Sequence, residues 1–185
     1  MPAARDGLYI GLMSGTSLDG IDGVLADFSG ARPVVTPHVS APFDPALRAE
    51  LLDLNTPGHT ELHRAALAGN ALSRAYAQVV TALLKQSGHL AASVRAIGAH
   101  GQTVRHRPQE FDGTGYTLQL GNPSVLAECT GIPVVADFRS RDVAAGGQGA
   151  PLVPAFHQYV FGRAGETVLV LNIGGISNLS VLGAD

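Results

Sequence analysis

Apolar residues cluster in short runs over residues 8–13, 24–28 and 34–40, and Gly or Pro turns separate the three. Short segments of this kind, partly β-branched or aromatic, predict three successive strands joined as an antiparallel meander. Pro37 has no N–H to give to a ladder, so the third strand is expected at an edge or bent. The pattern then lengthens. Asp44-Pro45 reads as an N-cap followed by proline in the first turn, with Leu47, Leu51 and Leu54 as the apolar face. Thr60 opens a longer helix in which Leu62, Ala65, Leu72, Val79, Val80, Leu83 and Leu84 recur at helical spacing until Gly88 closes it.

Beyond Gly88 the two patterns alternate. Strands are expected over residues 95–99, 116–120 and 133–137, and helices from Asn122-Pro123 to Gly131 and over 151–162. The order predicts an α/β fold whose mixed sheet holds three antiparallel strands followed by β-α-β-α, as in the ribonuclease-H-like lobe of actin-like ATPases and sugar kinases. A second strand–turn–strand unit over 167–182 repeats the opening hairpin in outline. The expected division is therefore a lobe over residues 1–164, with the first hairpin of a second lobe over 165–185.

The chain has 185 residues, and 45% of them are hydrophobic, enough for a real core. Twelve basic against fifteen acidic side chains leave a net charge of −3 and no basic stripe, which argues against a nucleic-acid partner. No run of about 18 apolar residues suggests a membrane span. The single cysteine, Cys129, excludes an internal disulfide, and a cytoplasmic location is expected.

Three segments carry candidate chemistry. In Gly11–Gly23 (GLMSGTSLDGIDG) a strand runs into a turn rich in Gly, Ser and Thr. Such a turn either closes a plain hairpin or offers N–H groups and hydroxyls to a phosphate. Asn172–Asn178 is a matching turn, and the pair could clamp a triphosphate. The run from Asp137 to Pro151 leaves the carboxyl end of a strand, where ligand crevices form in open α/β sheets. It carries Asp137, Arg139, Arg141 and Asp142 among glycines; a carboxylate there can take a proton, and an arginine can hold an anion. His100–His106 reads as a polar loop, either lining a sugar pocket or merely connecting. His100 and His106 lack partners at zinc-ligand spacing. Gln119-Leu120-Gly121-Asn122 reads the same two ways, and Asn122 either caps a helix or reaches a ligand.

Taken in order, GLMSGTSLDGID, AHGQTVRHRP, TLQLGNPSVLAE, GIPVVADFRSRDVAAGGQGAPLVPAFH and VLNIGGISNLS resemble the hallmark segments of the anhydro-N-acetylmuramic acid kinases, over residues 8–182. The resemblance implies a kinase of cell-wall peptidoglycan recycling that uses ATP and Mg²⁺. Such enzymes open the 1,6-anhydro ring of anhydro-N-acetylmuramic acid and phosphorylate its 6-oxygen. It implies that Gly15, Thr16, Ser17, Leu18, Asp19, Gly20, Ile21 and Asp22, with Gly174 and Gly175, hold ATP phosphate. Asp142 is the implied general base, with Asp137 as runner-up, and His100, Gln102, Thr103, Asn122 and Arg139 are implied sugar-binding residues. Where sugar kinases commonly place an acid before Gly-Thr, this chain has Met13, which shifts the expected metal ligand to Asp19, with Asp22 as the other candidate. Members of the family are longer, so this chain is not expected to turn over substrate alone at a normal rate. Other readings are a silent lobe that binds a sugar or a partner protein, or a kinase for a related sugar. Apolar surface at an unfinished sheet would favour association, a homodimer being one form.

Overall fold

The computed structural model describes residues 7–173 and 177–183. Its strands are β1 (Leu8–Ser14), β2 (Ile21–Asp27), β3 (Val34–Ala41), β4 (Val94–Ala99), β5 (Gln102–Pro108), β6 (Gly115–Leu120), β7 (Val134–Ala136), β8 (Val168–Asn172) and β9 (Asn178–Leu182). The helices are α1 (Pro45–Asp53), α2 (Glu61–Ser87), α3 (Pro123–Thr130), α4 (Ser140–Ala144) and α5 (Pro154–Phe161).

Five strands form one sheet in the order β3-β2-β1-β4-β7. The first three are antiparallel, with Ser14 opposite Ile21 in the β1–β2 hairpin, and β4 and β7 add in parallel to β1. This is the mixed, ribonuclease-H-like α/β arrangement expected from the pattern. Pro37 lies in β3, an edge strand, where its missing donor costs no ladder bond.

Period-two alternation sends Ile10, Leu12 and Ser14 of β1 to one face, where α2 lies across the sheet. Leu72, Tyr76, Val79, Val80 and Leu83 of α2 meet Ile10, Leu12, Leu25 and Ile97 in a single core. The helix comes so close that a Cβ on Gly23 would sit 2.4 Å from Val79 Cγ1, so β2 has no room for a side chain there. Leu62, expected on the apolar face, is 89% exposed, and the buried stripe of α2 starts only at Ala68. Gly88 closes α2 in the left-handed region at φ 72°, as expected. The opposite sheet face bears an apolar groove of about 420 Å³ along Tyr9, Val24, Val35, Val135, Phe138 and Phe156.

The Asp44 carboxylate accepts from the N–H groups of Ala46 (2.9 Å) and Leu47 (3.1 Å), which caps α1 as expected. Asp44→Ala is expected to lower stability by about 0.5–2 kcal/mol, read as a shift in the urea midpoint at unchanged slope. An unchanged midpoint would mean that water replaces the cap without loss.

Three further expectations need correction. Residues 102–108 are strand β5, not a loop, and β6 pairs with β5 in a separate two-stranded sheet rather than joining the main one. At Gly101 the chain turns out of the main sheet with φ 76°, and a Cβ there would lie 2.5 Å from the Leu120 carbonyl oxygen. The second strand also starts at Ile21, three residues before its expected start.

Among the described residues no helix is long and apolar enough to cross a membrane. β8 and β9 pair as a hairpin of their own, with Asn172 opposite Asn178. His157 Nδ1 of α5 and Ser180 Oγ of β9 lie 2.9 Å apart.

Candidate active site

The first candidate loop leaves β1 at Ser14, whose side chain is buried beneath the turn. Its Oγ lies 2.9 Å from the Tyr76 hydroxyl. The turn closes when Leu18 N–H donates to the Gly15 carbonyl (3.1 Å), with Leu18 itself at φ 53°. Leu18 and Ile21 send their side chains into the core, so only their main-chain groups are available to a ligand. Thr16, Ser17 and Asp19 stand exposed, and Ser17 Oγ donates to Asp19 Oδ1 (3.0 Å). Gly20 packs against the Ala41 carbonyl. Asp22 lies at the start of β2, where Ser40 Oγ donates to its carboxylate and His38 Nε2 is 3.1 Å away. Gly174 and Gly175, the other half of the expected clamp, lie outside the described residues.

A cavity of about 260 Å³ opens where β4, the β5–β6 hairpin and the N-terminus of α3 converge. Its polar walls include His100, Thr117, Gln119, Asn122, Asp137 and Ser140. Ligand pockets typically run from about 300 to 1,000 Å³, so this one has room for one compact ring and not for a nucleotide. Tyr76, from the core side, forms part of its floor, and burial pushes its hydroxyl pKa up to about 12.

His100 ends β4 with Nδ1 2.7 Å from the Gly101 carbonyl. Its Nε2 faces Arg139 Nε (3.0 Å) and Nη2 (2.7 Å). A guanidinium only donates, so Nε2 must be the acceptor and Nδ1 must carry the proton. Burial first, and the Arg139 charge after it, hold the His100 pKa below its ordinary 6.5; the Gly101 bond acts against them. Lowered in the folded state, this pKa gives stability that is complete above 6.5 and is lost as pH falls below it. The His100 ring is therefore expected to titrate below 6.5 in an NMR experiment. His100→Gln should flatten the fall in stability on acidification, and an equally steep fall in the variant would place the cause elsewhere.

Asn122 does both things its position allows. Its Oδ1 accepts from Val125 N–H (3.1 Å) to cap α3, its Nδ2 donates to Asn70 Oδ1 (2.7 Å), and it still lines the cavity. Thr103 Oγ1 accepts from Gln119 Nε2 (3.2 Å), and Arg139 lies behind His100, donating also to the Gly149 carbonyl. Neither Thr103 nor Arg139 lines the cavity, and neither does Gln102, which is fully buried. Thr117 and Gln119 do line it. Gln119 falls in the segment read from sequence as a candidate pocket wall, whereas Thr117 was not singled out, although its alternation with Gln119 on β6 was the available signal.

The two candidate carboxylates occupy different places. Asp137 lines the cavity at φ 57°, a left-handed conformation that aspartate tolerates, and its Oδ1 accepts from Ser140 N–H (3.2 Å). Asp142, on α4, lies outside the cavity lining and is exposed. Gly149 N–H donates to its Oδ2 (2.6 Å), while Oδ1 makes no hydrogen bond among the described residues. Gly147 packs against this carboxylate at a distance that no side chain could share.

Residues 7–185 match the family model described as "Anhydro-N-acetylmuramic acid kinase". The chain belongs to the anhydro-N-acetylmuramic acid kinase family. Curated anhydro-N-acetylmuramic acid kinases are similar throughout: one from Variovorax paradoxus is 71% identical over 96% of this chain and 47% of the relative. One from Albidiferax ferrireducens is 70% identical over 95% and 45%, and one from Cupriavidus pinatubonensis 62% over 98% and 48%. The chain thus spans about half the length of the curated relatives it matches. Among solved structures, YeaZ from Pseudomonas aeruginosa aligns over 96% of this chain and 65% of that one, at a TM-score of 0.34 and 16% identity, too loosely to argue from.

Proposed function

We propose that this chain supplies the amino-terminal lobe of an ATP-dependent kinase acting on 1,6-anhydro-N-acetylmuramic acid. The match to the kinase family over residues 7–185 carries this reading, and the polar, ring-sized cavity at the carboxyl end of β4 supports it. Water attacks the anomeric carbon, its proton passes to a carboxylate, and the bond from that carbon to the 6-oxygen breaks. The freed 6-oxygen attacks the γ-phosphorus of ATP, and the bond to ADP breaks. One anhydro sugar, one ATP and one water give N-acetylmuramic acid 6-phosphate, ADP and a proton.

Asp142 is the proposed base. One of its oxygens is anchored by Gly149 N–H, which fixes the carboxylate while the other oxygen stays open to a water. Asp137 is the second candidate, favoured by its place in the cavity wall. His100, Thr117, Gln119 and Asn122 bind sugar hydroxyl or amide groups, while Arg139 holds His100 in its neutral form. The β1–β2 turn takes ATP phosphate through its N–H groups and the hydroxyls of Thr16 and Ser17.

Mg²⁺ is commonly held by one or two carboxylates together with substrate phosphates. Asp19, exposed beside the turn, fits that mode, and Asp22 lines the same small depression. Among the described residues no three His, Cys, Asp or Glu gather into a ready-made metal cage. Bound there, Mg²⁺ would neutralise charge on the transferred phosphoryl group. We place the start of a second lobe at residue 165, so that the β8–β9 hairpin would bring the partner phosphate turn.

Radiolabel transfer from ATP to the anhydro sugar tests the reading. This chain would be joined to the complementary portion of the Variovorax paradoxus relative, and compared with the chain alone. Transfer by the joined protein and little by the chain alone is the expected result. No transfer by a folded joined protein, or equal transfer to unrelated sugars, would overturn it.

A further inference from the structure

Gln102 is 0% exposed, yet it is a costly residue to bury. Its Nε2 donates to the Gly15 carbonyl (3.2 Å) and, at 3.4 Å, to the Thr103 carbonyl. Two carbonyl partners fix the amide orientation, since Oε1 could accept from neither. Oε1 makes no hydrogen bond among the described residues. An unmet buried acceptor is a penalty that methionine or leucine in the same space would avoid. Packing therefore does not account for glutamine at this position, whereas the bond to Gly15 does.

A second bridge runs alongside. Ser14 Oγ meets the Tyr76 hydroxyl at 2.9 Å and the Gly101 carbonyl at 3.5 Å, and that same carbonyl faces His100 Nδ1. Tyr76, His100 and Gly101 belong to the cavity wall; Ser14 and Gly15 belong to the phosphate turn. A buried polar path thus joins the two ligand regions.

Resting on the proposed function, we infer that Gln102 is a positioning residue. It touches neither sugar nor nucleotide; it holds the Gly15 carbonyl, and so the pitch of the phosphate turn, against the β5–β6 hairpin, whose second strand walls the sugar cavity. Tyr76 acts with it through Ser14. Filling the cavity should therefore reach the turn through these two bridges.

Amide hydrogen exchange and ¹⁵N spectra of this chain test the inference, with Gln102→Met as the near-isosteric variant and Tyr76→Phe as the second. Without ligand, exchange at Leu18 N–H, which closes the turn on Gly15, should rise about 3- to 10-fold in each variant, the effect of losing one buried hydrogen bond. Exchange at Val79 and Val80 in α2 should not change. Leu18 exchange that is unaltered, or that rises only in step with α2, overturns the inference. Adding 1,6-anhydro-N-acetylmuramic acid should move the Gly15 and Leu18 resonances in the parent chain and leave them still in Gln102→Met, while Val125, whose N–H donates to Asn122 of the cavity wall, moves in both. Movement at Val125 alone in the parent chain would overturn transmission and leave the sugar reading standing. No movement anywhere would remove the sugar reading, and the ligand-free comparison would still decide whether Gln102 holds the turn.

Discussion

Asp142→Asn is expected to slow phosphorylation of the anhydro sugar by about 10²- to 10⁴-fold in the joined protein, the usual contribution of a general base. Asparagine keeps the shape and can still accept from Gly149 N–H, so the loop from α4 to Gly149 should hold its form. What is lost is the ability to take a proton from water. Sugar affinity should then stay within roughly threefold, because the interaction removed belongs to the transition state and not to binding. The measurement is a pair of values for each variant: kcat, and the sugar's dissociation constant from calorimetry. If Asp142→Asn keeps full activity while Asp137→Asn loses it, the base is the carboxylate in the cavity wall, and Asp142 only secures the glycine loop.

Ile97→Ala should cost about 2–5 kcal/mol of folding stability, the range for truncating a large buried aliphatic side chain. Ile97 is fully buried in β4, between Ile10 of β1 and Val134 of β7, and α2 closes over it. Domains of this size hold about 5–15 kcal/mol in total, so the variant should sit near the edge of folding at ordinary temperature. Leu62→Ala is the control, since a side chain this exposed should change stability by no more than about 0.5 kcal/mol. Urea denaturation measures both. A small loss at Ile97 would mean that β4 is not the middle of the core.

These two leucine and isoleucine positions show what the chain's pattern reveals and what it hides. Helical periodicity found α2 and its two ends, because Gly88 and the recurring Leu and Val residues are local signals. It could not tell that Leu62 stays exposed while burial begins at Ala68, since that depends on where the helix meets the strands. Strand β5 escaped for a different reason. Its inward positions are Gln102 and Val104, and a polar residue at an inward position erases the alternation by which strands are recognised. The buried glutamine that bonds to Gly15 is thus the residue that disguises the strand carrying it. Asn122 was legible as a cap because capping is local; that it does both, capping α3 and lining the cavity, depends on the approach of Ser73 and Asn70 of α2 to α3, which no local signal records. Asp137 and Asp142 stand five residues apart in one glycine-rich run, and nothing in that spacing tells which of them meets the cavity. The helical turn at Ser140–Ala144 decides it, turning Asp142 toward Gly149.

Helix α3 offers one practical consequence. Asn122 and Leu126 at its start and middle face the cavity, while Cys129, the chain's single thiol, is exposed near its end. A fluorophore attached there would need no competing cysteine removed and would stand one helical turn from the wall that a bound sugar touches. Its emission would offer a direct optical titration of the cavity, in parent and variants alike, without any phosphate being transferred.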